Sequence, residues 1–218
     1  MAGIPPIKTT LGLVIRENHK TVQARLKRAM QLEVNRVFQK AAVHVETALQ
    51  TKVANWIFYS DEMQSLLGGV LRGHFGIISP APQVMTIVAS IADTIEVNWT
   101  PVNPALMGSP LVIKVQPSDL LNVLGAITPL ITENGYSLDW IEWLLLRGDS
   151  PVVFDYHVVE GDFGRTGDAK MVSGGNYSVG RAAPTYTGTQ DNNFITRALE
   201  GKESEIQRLI VTSVERAM

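Results

Sequence analysis

The chain has 218 residues, 45% of them hydrophobic, which is enough for a core of its own, since a chain of this size buries roughly 70% of its unfolded surface; a single domain over 1–218 is expected. Nineteen Lys and Arg against twenty-one Asp and Glu leave a net charge of −2, which excludes a globally basic nucleic-acid binder and leaves only local basic patches. With no cysteine in the chain, disulfides and thiolate metal sites are excluded and folding in a reducing cytosol needs no help.

The N-terminus, M-A-G-I-P-P-I-K-T-T, lacks the charged start and apolar run of a signal peptide, and no window of eighteen apolar residues occurs. The expectation is a soluble protein, without membrane contact, made in the cytoplasm of a bacterium and not exported. From 18 to 55 the pattern is helical. Val22, Leu26, Met30, Val34, Val37, Ala41, Val45 and Ala48 recur at steps of three or four, with no Pro or Gly between them, which places them on one face. A helix over 20–52 would be about 50 Å long, longer than the roughly 44 Å diameter of a compact domain of this size. Either it breaks, or its end projects toward a neighbouring subunit. The same stretch is basic, with Arg16, Lys20, Arg25, Lys27, Arg28, Arg36 and Lys40 against Glu17 and Glu33. Arg25, Lys27 and Arg28 are the candidates for a weak, salt-dependent contact with DNA.

Ser60 or Asp61 can cap a short helix that ends at Gly68-Gly69, and residues 71–78 lead to a breaker at Pro80 and Pro82. The β-branched run 84–102, with its alternation through Thr94, Ile95, Glu96, Val97, Asn98 and Trp99, predicts two strands, or one kinked near Ala92-Asp93. Residues 111–115 read as a further strand. Ser118 or Asp119 starts a helix whose apolar face is Leu120, Leu121 and Leu124. In 136–146 the apolar residues surround the axis, which predicts a helical turn buried on every side and running into a pivot at Arg147-Gly148-Asp149. A strand follows over 152–159. The polar, glycine-rich arm 161–188 is expected to form a loose hairpin returning through 176–179. A last helix, capped by Asp191 or Asn192, continues past Gly201 through Ile206, Leu209, Ile210 and Val214. The whole is an α+β layout without internal repeats.

Little of the chain points to catalysis. His19, His44, His74 and His157 have no metal-ligand spacing, and His44 reads as an ordinary helix histidine. The glycines of G-D-F-G-R-T-G at 161–167 are wrongly spaced to cradle phosphate, Gly201-Lys202 is followed by Glu203, and no G-x-S-x-G elbow occurs. Asp139 with Glu142, and Glu203 with Glu205, read as solvated helix charges. The R-G-D at 147–149 reads as a turn, and Trp140 and Trp143 as core or subunit-interface aromatics. No enzyme, metal or cofactor is expected. The arm is the open question: seven glycines lie in 161–188, yet Phe163, Met171, Tyr177, Val179 and Tyr186 are spaced to anchor it in a groove. It is either a plain loop or a subunit-bridging arm.

Two stretches carry a resemblance. D-W-I-E-W-L-L-L-R-G at 139–148 and N-N-F-I-T-R-A-L at 192–199 are similar in wording and order to the neck and tail-completion proteins of tailed bacteriophages, over roughly 136–218; the first half is similar only in its order of elements. The resemblance implies a small, mostly antiparallel β-sheet packed by a long N-terminal helix and a C-terminal helix, with an extended β-hairpin arm. Mapped here, those parts are 20–52 for the long helix, 152–159 for the core strand, 161–188 for the arm and a closing helix from Asn192, with Phe194 and Ile195 docked on the sheet. It also implies a non-enzymatic virion protein at the head–tail junction, a homo-oligomeric ring between neighbouring connector, neck or tail proteins, with DNA passing through as a non-specific lumen contact. The alternative is a soluble accessory protein that binds nucleic acid with its basic N-terminal helix.

Overall fold

A computed structural model describes residues 18–102, 120–127, 130–131, 137–148, 153–177, 186 and 188–218. The fold is α+β, with a long N-terminal helix, a C-terminal helix and small antiparallel sheets. Helix α1 (His19–Phe58) runs unbroken for 40 residues, because nothing in its sequence removes a backbone donor or leaves a residue without a side chain. Asn18 starts it, its side chain accepting from the Lys20 amide at 3.1 Å. Of the two outcomes open to so long a helix, projection is the one observed. Val37, Ala41, Val45, Leu49, Val53 and Ile57 are buried, whereas almost every residue from His19 to Arg36 is exposed.

Helix α2 (Asp61–Gly68) is capped by Ser60, as expected, and Gly69 ends it; α3 (Val70–Phe75) follows directly. The strands expected over 84–102 are not formed. Pro80 opens helix α4 (Pro80–Asp93) instead, its missing amide being harmless in a first turn. Val84, Ile87, Val88 and Ile91 are β-branched, but they stand at i, i+3, i+4 and i+7 and all four are buried. Burial of that face outweighs their strand propensity.

Residues 95–102 are extended, yet their partner is a helix. The Ile95 carbonyl accepts from Gln50 Nε2 at 3.3 Å, and the Val97 amide donates to Glu46 Oε2 at 3.1 Å. The Val102 amide donates to Asn35 Oδ1 and its carbonyl accepts from Gln31 Nε2, both at 2.8 Å. Positions 31, 35, 46 and 50 form one row along α1, so the segment runs antiparallel to the helix and its polar backbone is satisfied by side chains. Val97 joins Ala42 and Val45 in a small upper cluster with Trp99, Leu209 and Ile210 against it.

The strand expected over 111–115 and the cap at 118–119 lie outside the described residues. Helix α5 (Leu120–Gly125) is present; Val123 is fully buried and Leu124 half-buried, while the side chains of Leu120 and Leu121 lie outside the described residues. A short pair, β1 (Leu130–Ile131) with β2 (Ser137–Leu138), precedes α6 (Trp140–Glu142). This helix widens into a π turn, Trp143–Arg147, in which Trp140, Ile141, Trp143, Leu144 and Leu145 are all buried, as the all-round apolar pattern predicts. The two tryptophans lie in the main core. Leu49, Val53 and Ile57 of α1, Met63 and Leu66 of α2, Phe75, the α4 face and Phe194 share it.

The arm also differs from expectation. Strand β3 (Val153–Glu160) pairs antiparallel with β4 (Ala169–Tyr177), so the expected core strand is one limb of the hairpin; the return strand includes 176 and 177 as expected but begins already at Ala169, and 178–179 lie outside the described residues. The first glycines of the arm serve the turn between them. Near the C-terminus the cap is Asn193, not Asp191 or Asn192: its side chain accepts from the Ile195 and Thr196 amides while Thr196 reaches back, a complete capping box. Helix α7 (Phe194–Leu199) then stops at Gly201, whose φ of 72° is left-handed. The single closing helix is therefore two, α7 and α8 (Glu203–Ala217), because that conformation ends a helix. Phe194 and Ile195 are buried against α1 and the π turn rather than on the hairpin.

Candidate assembly surfaces

Among the described residues no group of His, Cys, Asp and Glu could hold a metal, and no helix is long and apolar enough to cross a membrane. His44 is exposed, whereas His74 is buried and faces Glu160. Glu142 pairs with Arg147 and Glu205 with Lys52, so these carboxylates have structural partners.

The hairpin is fastened to α3. Arg72 meets Asp168 at 3.5 Å, His74 Nε2 meets Glu160 Oε1 at 3.2 Å, and Gly73 lies so near the turn that a Cβ there would stand 3.1 Å from that of Asp168. Of the five arm residues singled out as anchors, Met171 and Tyr186 pack against this chain's own core. Phe163 sits in the turn, 36% exposed, with Lys170 Nζ 4.7 Å from its ring centroid. Tyr177 is the last residue of β4, opposite Val153; its side chain and Val179 lie outside the described residues. The arm's end is held as firmly as its turn. Gly148 donates to the Gly188 carbonyl, and a Cβ on Gly188 would overlap the Leu144 carbonyl oxygen.

The basic candidates Arg25, Lys27 and Arg28 are exposed on the projecting limb of α1. Lower on that limb Arg36 donates to Glu33; this hydrogen bond holds the Glu33 carboxyl below its usual range and raises the Arg36 guanidinium. The apolar stripe of α1 does not stop where the protein's body stops. Val22, Leu26 and Met30 continue it at 45%, 60% and 47% exposure, on a limb of about 18 residues and hence about 27 Å. Charge is divided along the chain as well. Residues 1–40 hold eight Lys and Arg against Glu17 and Glu33, a net +6, whereas residues 41–218 hold eleven against nineteen acids, a net −8.

A cleft of about 710 Å³ lies at the other end of α1, between its last turn, the start of α2 and residues 192–202. Its floor is an ion pair between Arg197 and Glu62, Glu62 being almost wholly buried, and Arg197 also donates to Asn192 at 2.7 Å. One wall is Trp56, with Lys52 Nζ 5.8 Å and Lys202 Nζ 5.6 Å from its ring centroid. At the rim Tyr59 is 71% exposed, and Asp61 and Glu200 are exposed with no ion pair among the described residues. From sequence the residues of this cleft carry no site: Ser60, Asp61 and Asn192 read only as helix caps. The one trace was two aromatics, Trp56 and Tyr59, standing off the apolar stripe.

No family model matches the chain. Neither the curated proteins nor the solved structures give a match.

Proposed function

We propose that this chain is a structural, non-catalytic subunit of a tailed-bacteriophage particle, one of many identical copies forming a ring at the head–tail junction through which DNA passes. The observation that carries the reading is the bare limb of α1. A stripe that is core from Val37 onward continues through Val22, Leu26 and Met30, which are about half exposed, and contiguous apolar surface rimmed by charge marks an interaction site. The similarity of 139–148 and 192–199 to neck and tail-completion proteins supports the virion setting. Its mechanism is geometric: a repeated heterologous contact closes a ring if its rotation closes, and the near-neutral total charge leaves DNA free to slide past. Light scattering across a concentration series, followed by negative-stain imaging, tests this. A defined multimer with a central hole is expected; a monomer at every concentration sinks the reading.

A second reading rests on the same limb, where Lys20, Arg25, Lys27 and Arg28 are exposed together. An accessory protein that binds DNA through this limb gives a gel shift that weakens steeply with salt. Neutral substitution of Arg25, Lys27 and Arg28 abolishes that shift if the limb is the contact.

A further inference from the structure

We infer that the bare limb of α1 docks in the cleft at the opposite end of α1 on a second copy of this chain, a deepening that rests on the ring reading above. The two surfaces match in chemistry. The limb offers an apolar stripe, Val22, Leu26 and Met30, with Arg25 and Lys27 about 100° to either side of Leu26. The cleft offers Tyr59 and Trp56 as apolar ground and the carboxylates Asp61, Glu62 and Glu200 against the cations Arg197 and Lys202, a net −1; Glu62 is already paired with Arg197, and Asp61 and Glu200 are exposed. It also lies at the C-terminal end of a 40-residue helix with no basic residue in its last turn, where the helix dipole is negative. An amphipathic helix laid in a groove is a recurrent mode of recognition. The division of net charge, +6 in residues 1–40 and −8 in the remainder, selects another copy's body as the occupant, because opposite net charges speed and orient encounter. Residues 103–119 of the same chain, with one Lys and one Asp, offer the basic limb no such complement.

Limb and cleft are different surfaces, so a limb that enters the cleft of the next copy propagates the contact head to tail into a ring or a filament; two antiparallel copies exchanging limbs would instead close as a two-fold dimer, and a dimer as the largest species overturns the ring while leaving the limb-to-cleft contact. The distance between equivalent points on adjacent copies equals the separation of limb and cleft within one copy. From Leu26 to Tyr59 that is about 50 Å along the helix.

Two variants test the contact, each first checked for wild-type helicity and unfolding midpoint. Arg25→Glu with Lys27→Glu reverses the limb, and Asp61→Lys with Glu200→Lys reverses the cleft. Alone, each sets like charges against each other at every contact and is expected to stay monomeric where the wild type assembles. Mixed in equal amounts they restore opposite charges at every contact, and full-size assemblies of 1:1 composition are expected. A cleft-reversed variant that assembles alone as the wild type does overturns the inference and leaves the ring reading standing. A mixture that stays monomeric also overturns it. A wild type that is monomeric throughout removes ring and contact together, with 103–119 of the same chain as the competing cover. The absence of cysteine allows a second readout, a spin label at Ala24→Cys on the far side of the limb. Label pairs about 50 Å apart are expected, whereas pairs under about 20 Å place two limbs side by side and overturn it.

Discussion

The two ends of α1 carry the same stripe at the same spacing and meet opposite fates. From Val37 to Ile57 it is covered by α4, α7, α8 and the extended segment 95–102, while from Val22 to Met30 it is bare. Periodicity therefore reports that a face is to be covered, and says nothing about which molecule covers it. The covered half gains from neighbours on three sides, each fully buried Leu or Ile being worth about 2 kcal/mol; Val22, Leu26 and Met30, about half exposed, gain far less.

That contrast predicts unequal responses to similar substitutions. The largest is expected for Leu49→Ala, which opens a cavity at a fully buried position and costs about 4 kcal/mol in urea unfolding. A cost below about 1 kcal/mol there breaks the distinction between the halves. Arg197→Ala strands Glu62 in the wall that holds the end of the covered half, with a loss of about 3 kcal/mol; Glu62→Gln in the same background recovers part of it, which separates lost charge pairing from lost packing. Glu46→Ala removes the acceptor for the Val97 amide and is expected to cost about 1.5 kcal/mol, with hydrogen exchange at that amide speeding up more than at the core amides of α4. Smallest is Leu26→Ala on the bare half, expected to shift the unfolding midpoint of the dissociated chain by less than about 0.5 kcal/mol. A larger shift shows that the chain covers its own limb.

How much of this was legible beforehand follows the locality of the cause. The presence and start of α1, the Ser60 cap and the burial of 140–145 were readable because each is decided within a few residues of sequence, whereas α1 runs six residues past the expected end at 52. Helix α4 was misread although its evidence was present: Val84, Ile87, Val88 and Ile91 keep helical spacing, and strand propensity was given more weight than period. Segment 95–102 alternates as a strand does, but a row of Gln, Asn and Glu on a helix supplies its hydrogen bonds, and no pattern within 95–102 distinguishes that partner from another strand. Asn193 was missed by one residue, its box with Thr196 being the stronger local signal than Asp191 or Asn192. The cleft was out of reach altogether, since its floor joins Glu62 to Arg197 across 135 positions. The expected reach of the arm toward another copy was drawn from intervals that serve, at Met171 and Tyr186, this chain's own core.

The uninterrupted course of α1 has a mechanical consequence. A rod gripped over one half and free over the other is a lever whose fulcrum is the core. With a free arm of about 18 Å beyond the Gln31–Val102 hydrogen bond, a tilt of about 5° in the grip carries the tip about 1.5 Å sideways, far enough to seat or unseat a side chain. Repacking among α4, α7 and α8, too slight to alter the fold, is thereby amplified at the tip into motion that any molecule bound there must follow.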